Sequence, residues 1–292
     1  MPSQVRFLAE EGTERRRDAL TSAVALLRGR RFVVLTGAGC STDSGIPDYR
    51  GPTGSLRRRT PIQHQDYLRS AETRQRYWAR STLGWPQVGM AQPNAVHHAL
   101  TALEQAGLVT GIITQNVDGL HGRAGSQRVV ELHGSLHAVL CLQCGQRSPR
   151  DLLQAELLAA NPSYAEHAAA AAPDGDAEFE PGAGRASFVV PACSLCGGML
   201  KPDVVFFGGN VARPVVESAW QLFDDASALL VLGTSLAVFS GFRFARGAAE
   251  RGLPIVVINQ GPTRADELAA LCVDEPLSPS LSTLCRALLG AT

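Results

Sequence analysis

Four of the seven cysteines are arranged as two closely spaced pairs. Cys141 and Cys144 lie in "CLQCG", and Cys193 and Cys196 lie in "CSLCGG". Two thiolates from each turn can close a tetrahedron around zinc, and the glycine after each pair lets the backbone fold back toward the metal. A disulfide or a redox-active pair is the alternative. The duplicated spacing favours one structural zinc ion per chain, with four protein ligands and no open position for catalysis.

The glycine-rich segment "LTGAGCSTDSGIPDYRG", residues 35–51, is a second candidate for chemistry. Gly37 and Gly39 follow an apolar run, as in loops that hold the phosphates of a dinucleotide. Thr42 stands where such a loop has its third glycine, and hydroxyl groups, glycine and proline follow in place of a helix start. A turn without a ligand is the alternative. The segment favours a nucleotide loop with a further task beyond holding phosphates.

Short apolar runs that end in small or polar residues recur along the chain. Because they show no polar alternation, they are typical of strands buried on both faces of a parallel sheet. Helical stretches are predicted at 94–107, where Asn94 can cap the helix and Gly107 can end it, and at 211–226. This alternation predicts a doubly wound, Rossmann-like α/β sheet. The five predicted strands are "RFVVLTG" (31–37), "LVTGIITQN" (108–116), "RVVELHG" (128–134), "SALLVLGTS" (227–235) and "LPIVVINQG" (253–261).

The ends of these predicted strands form the expected ligand edge. In a doubly wound sheet the ligand lies beyond the carboxyl ends of the strands. Here those ends read GAGCS, TQNVD, HG, GTS and NQG, which are mainly small or polar residues. The sequence therefore predicts a cofactor site along this edge.

Two segments interrupt the alternation and predict a second, smaller domain. Residues 52–90 are rich in arginine, aromatic residues and glutamine and predict a helical insertion. Residues 137–199 carry the paired cysteines and a loop-like, Ala-rich stretch, and predict the zinc-binding insertion. The Rossmann-like domain is then expected to comprise residues 20–51, 91–136 and 200–292.

Composition argues against several classes of partner. The 292-residue chain has 45% hydrophobic and 18% charged residues and a formal net charge of zero, which favours neither nucleic acid nor an anionic membrane as a partner. The apolar runs are too short to span a bilayer. Residues 1–20 lack a secretory hydrophobic core and carry several acids, unlike an organellar presequence. We therefore expect a cytoplasmic protein, and we expect it to be a monomer.

Taken in order, the motifs resemble those of the sirtuins, which are NAD-dependent protein lysine deacylases. The resemblance rests on GAG-x-S-x-x-SGIPDYR, TQNVD, LHG, the two C-x-x-C pairs, GTS and N-x-G, and it runs from residue 20 to 290. The segments "KPDVVFFGG" and "INQGPTRADELA" are similar to the class II branch, which includes a mitochondrial animal sirtuin. The resemblance implies an enzyme that uses NAD as co-substrate and acts on acyl-lysine proteins or peptides. Its products would be nicotinamide, free lysine and O-acyl-ADP-ribose.

The resemblance also implies which residues bind NAD. The glycine loop would lie against the pyrophosphate, and the hydroxyl-rich segment would fold over the nicotinamide ribose. Gln115 and Asn116 would hold the ribose hydroxyls, and Asp118 would fix the nicotinamide amide. The implied NAD-contacting residues are Gly37, Ala38, Gly39, Ser41, Ile46, Asp48, Arg50, Gln115, Asn116, Asp118, Gly233, Thr234, Ser235, Asn259, Gln260, Gly261 and Leu277.

His133, in "ELHGS", is the implied general base, and with Asn116 it forms the predicted catalytic pair. An imidazole can accept a proton near pH 7 without a large change in its pKa. In the family the histidine takes a proton from the ribose so that the 2′-hydroxyl attacks. His121, in "GLHG", is the rival candidate for the base, whereas His97 and His98 are expected to pack or to face solvent.

Two further segments resemble the edges between which sirtuins bind the substrate peptide as an added strand. They are "VVFFGG" (204–209) and "LAVFSG" (236–241). Gly209 stands where many sirtuins have glutamate, and Ser240 where many have proline. These departures from the resemblance bear on peptide preference more than on catalysis. The predicted peptide-binding residues are Val205, Phe206, Phe207, Gly208 and Val238.

Tyr77 and Arg80 form a Y-x-x-R pattern in "RYWAR", where sirtuins that prefer acidic acyl groups carry the same pair. A guanidinium can hold a carboxylate through two hydrogen bonds. We therefore predict that both residues bind the acyl group and that acidic or longer acyl chains are preferred. The alternative is a helix with Tyr77 and Trp78 in the core and Arg80 in solvent.

Two other functions are compatible with an NAD site. The activated ribose could be transferred to protein, as in a mono-ADP-ribosyltransferase, or the chain could be a zinc-containing module that senses NAD without turnover. The complete set of motifs disfavours the sensor, because a sensor has no need of His133.

Overall fold

The structure is a computed structural model that describes residues 6–7, 12–49, 61–164, 175 and 188–290. Arg50, which the resemblance assigns to the NAD phosphates, lies outside the described residues. Most of the Ala-rich stretch of the zinc-binding insertion also lies outside them.

Strands and helices alternate along the described chain, as the apolar runs predict. The strands are β1 Arg6–Phe7, β2 Phe32–Thr36, β3 Val109–Thr114, β4 Val129–Glu131, β5 Gly134–Cys141, β6 Arg147–Pro149, β7 Leu200–Val204, β8 Ala228–Leu232, β9 Ile255–Ile258 and β10 Leu271–Val273. The α-helices are α1 Gly12–Leu27, α2 His64–Arg69, α3 Ala71–Met90, α4 Ala95–Gln105, α5 Leu120–Arg123, α6 Arg150–Ala160, α7 Arg213–Gln221, α8 Phe239–Glu250 and α9 Leu277–Leu289.

The large sheet has seven parallel strands in the order β1-β10-β9-β8-β2-β3-β4. All five predicted strands belong to it, and β2 lies between β8 and β3. The short strands β1 and β10 at the far edge were not predicted. The fold is therefore the expected doubly wound α/β sheet, and the glycine-rich segment begins at the carboxyl end of a central strand.

Alternate residues of the central strands pack into two different cores. Val34 on β2 faces a core shared with α1, α4 and α9. Its neighbours Val33 and Leu35 face the opposite core, which is shared with α7 and α8. Because both faces are covered, β2 is apolar throughout and fully buried.

Helix α4 shows how the sequence sets the local structure near the site. The side chain of Asn94 accepts a hydrogen bond from Val96 N at 2.9 Å, which caps the helix as predicted. Gly107 adopts a positive φ of 74° just beyond the helix. In contrast, the described residues that follow β2, 37–49, form two single 3-10 turns at Ala38–Cys40 and Thr42–Ser44 and no α-helix.

A smaller antiparallel sheet of three strands, in the order β6-β5-β7, was not predicted. Strand β7 pairs with β5, so Leu200–Val204 lies with this sheet although it falls within the range 200–292 assigned to the large domain. Helices α2, α3 and α6 share a core with the sheet, in which Tyr67, Trp78 and Leu157 are fully buried. This common core supports the pairing of the two insertions, while the domain boundaries stay a prediction. In the described part of the chain, no helix has the length and apolarity needed to cross a membrane.

Candidate active site

A cavity of about 980 Å³ lies at the carboxyl ends of the central strands. This volume is at the upper end of the range for sites that bind small molecules, which suits a ligand as large as a dinucleotide. Of the described residues to which the resemblance assigns NAD contacts, all line this cavity: Gly37, Ala38, Gly39, Ser41, Ile46, Asp48, Gln115, Asn116, Asp118, Gly233, Thr234, Ser235, Asn259, Gln260, Gly261 and Leu277.

The glycines after β2 are required by contact with the loop that follows β8. A Cβ atom on Gly37 would lie 2.6 Å from Thr234 Cβ, and one on Gly39 would lie 2.9 Å from Gly233 Cα. Gly39 N also donates a hydrogen bond of 2.9 Å to Gly233 O. The two loops can therefore touch only because both positions lack a side chain. This packing gives the glycines a role in the protein itself, in addition to the phosphate contact that the sequence suggests.

A buried hydrogen-bond network joins the predicted site residues. Asn116 Nδ2 donates to Ser41 Oγ at 3.0 Å, and Ser41 Oγ donates to Asp118 Oδ2 at 2.7 Å. Gln115 Nε2 donates to Thr234 Oγ1 at 2.8 Å. These side chains come from the loops after β2, β3 and β8. The network holds their polar groups at fixed positions around the cavity.

His133 follows β4 and lines the same cavity. Its Nδ1 atom lies 2.8 Å from Gln115 O, and its Nε2 atom lies 2.8 Å from Ser240 Oγ. A carbonyl can only accept, so Nδ1 carries the proton and the lone pair is on Nε2, facing Ser240 Oγ. Burial lowers the pKa of His133, and the bond to the Gln115 carbonyl opposes this in part. The imidazole is therefore neutral near pH 7 and can accept a proton at Nε2.

His121, the rival for the base, has a different environment. It is 2% exposed, its Nε2 atom lies 3.0 Å from Thr36 Oγ1, and it does not line the cavity. Burial lowers the pKa of His121 well below its ordinary value, and the nearby His97 lowers it further. Of the two candidates, His133 alone is placed for proton transfer to a ligand in the cavity. His97 is buried and His98 exposed, which matches the expected packing and surface positions.

The two predicted peptide edges also lie at the cavity. Its lining includes the predicted Val205, Phe206, Phe207, Gly208 and Val238. It also includes Phe239 and Ser240, which belong to the predicted edge 236–241, and Arg243, which lies beyond that edge and was not assigned from the sequence. Helical spacing could have identified Arg243, because residues four apart on a helix share a face with Phe239.

Tyr77 and Arg80, the predicted acyl-binding pair, have different positions relative to the cavity. Tyr77 lines the cavity and is buried against Phe206, with ring centroids 5.2 Å apart. Arg80 lies one turn further along α3; it is buried, contrary to the solvent-exposed alternative, and it does not line the cavity. The structure therefore brings one member of the pair, Tyr77, to the site.

The four paired cysteines converge although 48 residues separate Cys144 from Cys193. Their sulfur atoms all lie within 4.8 Å of one another, with Cys141 Sγ 3.6 Å from Cys196 Sγ and Cys144 Sγ 3.8 Å from Cys193 Sγ. Tetrahedral zinc with Zn–S bonds of about 2.3 Å requires sulfur atoms about 3.8 Å apart. A Cβ atom on Gly198 would lie 2.9 Å from Cys141 Sγ, so the glycine leaves room for the cluster. The donor set and its spacing fit structural zinc.

Comparison with known proteins agrees with this site. Residues 37–240 match the profile described as the Sir2 family, which is more than half of the chain. The chain belongs to the Sir2 family. It is 54% identical over 257 residues to a protein named NAD-dependent protein deacetylase from Xanthomonas axonopodis pv. citri, covering 88% of this chain and 87% of that protein. It is also 52% identical over 248 residues to the mitochondrial NAD-dependent protein lipoamidase sirtuin-4 of Bos taurus, covering 84% of this chain and 78% of that protein. The similarity to sirtuin-4 is compatible with the predicted class II branch.

Solved Sir2 structures share the fold of this chain. A complex described as Sir2 with a p53 peptide and NAD+ has a TM-score of 0.70 and 28% identity, and covers 94% of this chain and 99% of its own. A Sir2 bound to a propionylated peptide has a TM-score of 0.73 and 28% identity, with the same coverage. These complexes contain the two kinds of ligand that the resemblance implies for this sirtuin.

Proposed function

We propose that this sirtuin is an NAD-dependent protein lysine deacylase. The observation that carries the proposal is that His133 lines the cavity together with the glycine loop and both peptide edges, and that its Nε2 atom faces Ser240, another lining residue. One cavity can thus accommodate NAD, an acyl-lysine and a base. The relatives named as NAD-dependent deacetylases and lipoamidase support the same reaction class.

In the proposed reaction the chain binds, orients and moves one proton. NAD, when bound, supplies a ribose carbon that accepts the acyl oxygen as nicotinamide leaves. The network of Ser41, Asn116 and Asp118 would hold the polar groups of the co-substrate, since these side chains already have fixed positions. His133 would accept the proton of a ribose hydroxyl at Nε2. Buried apolar side chains such as Ile46 and Phe206 would limit the access of water.

The four-cysteine cluster would have a structural role. Four protein ligands leave no open coordination position, so zinc here would hold the fold of the small sheet and perform no chemistry. Cys141 ends β5 and Cys193 precedes β7, so the metal would link the chain on both sides of that sheet. We expect one zinc ion per chain.

The proposed acyl group is longer than acetyl. The part of the cavity that contacts the core of the small domain is lined by Ile62, Tyr77, Val204 and Phe206, which are apolar or aromatic. Such a lining favours an extended hydrocarbon chain. The similarity to a relative named as an NAD-dependent protein lipoamidase supports this preference. An acidic acyl group held by Arg80 stays a prediction, because Arg80 does not line the cavity.

The setting of the reaction is also proposed. We infer a monomer that acts in the cytoplasm on acyl-lysine proteins or peptides. The formal net charge of zero supports the absence of nucleic acid and of anionic membrane among its partners.

Product analysis tests the proposed function. The protein is incubated with NAD and a lysine peptide carrying either an acetyl or a longer acyl group, and the products are identified by mass spectrometry. Nicotinamide, free lysine peptide and O-acyl-ADP-ribose are expected. Peptide-linked ADP-ribose would instead indicate a mono-ADP-ribosyltransferase. The absence of any product while NAD binds would indicate a sensor.

A further inference from the structure

The Nε2 atom of His133 already has a hydrogen-bond partner within the protein. Ser240 Oγ lies 2.8 Å from it, and Ser240 is the second residue of α8. The other ring nitrogen, Nδ1, faces the carbonyl oxygen of Gln115 at 2.8 Å. Because Nδ1 must donate to that carbonyl, Nε2 must accept, and the hydroxyl of Ser240 donates to it. The imidazole ring is thus held from both sides in a single tautomer.

Ser240 also lies on the peptide edge of the cavity, next to Phe239. Its hydroxyl occupies the position that a substrate hydroxyl must reach in order to give its proton to His133. The contact between Ser240 and His133 therefore depends on the hydroxyl group of this one side chain.

We propose that Ser240 is a positioning residue for His133: its hydroxyl holds the Nε2 lone pair toward the cavity and releases it to the substrate hydroxyl when both ligands are bound. The proposal rests on the deacylase function proposed above. A serine hydroxyl can donate to the lone pair of neutral Nε2 and can rotate to accept from protonated Nε2–H, so it stabilises the orientation of the ring and not one protonation state. Loss of the hydroxyl should therefore loosen the placement of Nε2 and lower the rate at acidic and alkaline pH alike.

Other titratable groups near His133 could also change the rate with pH, and their contribution must be distinguished from that of Ser240. Glu131 lies two residues earlier on β4, and burial together with the charge of Asp118 raises its pKa to about 7. Asp203 lies beside the segment whose Val205 N donates to His133 O. Arg243 is on α8, one turn from Ser240. Of these groups, Glu131 titrates in the same pH range as a histidine, so its neutral variant is the necessary control.

The kinetic test compares Ser240→Ala, Ser240→Thr and Glu131→Gln in the full-length protein. At pH 6 and at pH 8.5, Ser240→Ala should lower kcat/KM by about 3- to 10-fold, which corresponds to the loss of one ordinary hydrogen bond. The two pH values should show similar losses, because the hydroxyl orients the ring in either protonation state. Ser240→Thr keeps the hydroxyl and should restore the wild-type profile. Glu131→Gln should leave the difference between Ser240→Ala and the wild type unchanged when the two substitutions are combined.

A spectroscopic measurement tests the bond without requiring turnover. In protein with ¹⁵N-labelled histidine, the seven imidazoles are recorded in the absence of ligands, and His133→Gln identifies the signal of His133. Ser240→Ala should shift the Nε2 resonance of His133, and Ser240→Thr should return it toward the wild-type value. If Ser240→Ala leaves both this resonance and kcat/KM unchanged, Ser240 does not position His133. If the resonance shifts but the wild-type protein forms no product, the bond is real and the deacylase function is wrong.

Discussion

The side-chain amide of Asn116 donates a hydrogen bond of 3.0 Å to the hydroxyl of Ser41. This bond connects the loop after β3 to the glycine loop after β2. The same hydroxyl of Ser41 donates a hydrogen bond to the buried carboxylate of Asp118, so it accepts from one side chain and donates to another. Ser41 therefore supplies the hydrogen-bond partner of two atoms in other predicted NAD-contacting residues, Nδ2 of Asn116 and Oδ2 of Asp118.

Removal of the Ser41 hydroxyl should lower the stability of the protein. In Ser41→Ala, the buried Oδ2 atom of Asp118 loses its donor, and we expect the free energy of unfolding to fall by about 1–3 kcal/mol. Urea denaturation measures this change. Ser22→Ala is the matched control, because Ser22 is exposed and bonds only within α1; it should change stability by less than about 0.5 kcal/mol. Equal effects of the two substitutions would show that the network does not stabilise the site.

Zinc removal should unfold the small domain. Structural zinc contributes on the order of 10 kcal/mol in small zinc modules, so Cys141→Ser or Cys196→Ser should misfold the protein. Elemental analysis of the wild type should give one zinc ion per chain. Cys272→Ser is the control, since Cys272 lies on β10 away from the cluster, and it should keep the metal. Active protein that contains no zinc would rule out the metal site.

The buried histidines predict a pH dependence of stability. Burial lowers the pKa of His97 to about 4, and the charge of Asp118 opposes this in part. An unfolded histidine titrates near pH 6.5, so between pH 6.5 and pH 4 the unfolded chain binds more protons. The contribution of His97 is therefore fully present above pH 6.5, and it falls by about 1.4 kcal/mol per pH unit on acidification through this range.

Two neighbouring substitutions isolate this effect. His97→Gln should remove its part of the slope of unfolding free energy between pH 6 and pH 4.5, whereas His98→Gln should leave most of that slope, because the charge of the exposed His98 is the smallest of the three influences on the pKa of His97. Glu131, whose raised pKa gives a slope of the opposite sign, is common to both variants. The same slope in both variants would contradict the assignment.

A bulky side chain in the apolar part of the cavity should exclude long acyl chains. Ile62→Trp should reduce kcat/KM for octanoyl-type or lipoyl-type lysine by at least 10-fold and spare acetyl-lysine, because Ile62 lines the cavity beside the core that contains Tyr77. Ile62→Val leaves the space open and is the control. Competition kinetics with a series of acyl peptides gives the comparison. If acetyl-lysine is the best substrate of the wild type, the proposed preference is wrong.

Arg80→Ala tests the acidic alternative with the same substrates. If Arg80 reached a desolvated carboxylate, glutaryl-lysine would lose about 2 kcal/mol of transition-state stabilisation relative to acetyl-lysine. Because Arg80 does not line the cavity, we expect equal effects on both substrates. A selective loss for glutaryl-lysine would favour the acidic preference.

The large sheet could be read from the sequence because each of its five main strands is a continuous apolar run bounded by small or polar residues. Strands β1 and β10 have two and three residues, which is too short for such a pattern. Strand β5 pairs with β7 across more than 50 intervening residues, and nothing local in either segment indicates that pairing. Local patterns therefore predicted the fold of the large sheet and left the small sheet unidentified.

Local sequence patterns likewise predicted some residues of the site and missed some of its contacts. Residues at strand ends, such as Ser41 and Asn116, were predictable because parallel strands bring their carboxyl ends to one edge. The contact between His133 and Ser240 spans 107 positions of the chain and depends on the exact placement of α8. Arg80 is the opposite case. The Y-x-x-R pattern suggested that Arg80 contacts the acyl group, but its position on α3 does not bring it to the lining of the cavity.

Replacement of His133 tests the proposed reaction most directly. Product formation from NAD and an acyl-lysine peptide is measured for the wild type, His133→Ala and His98→Ala, and NAD affinity is measured by calorimetry in parallel. His133→Ala should lose at least about 100-fold in rate, as is typical of a positioned acid–base group, while NAD affinity stays within a few-fold. His98→Ala should behave as the wild type. A His133→Ala protein that keeps half of the wild-type rate would contradict the role of His133 as the base.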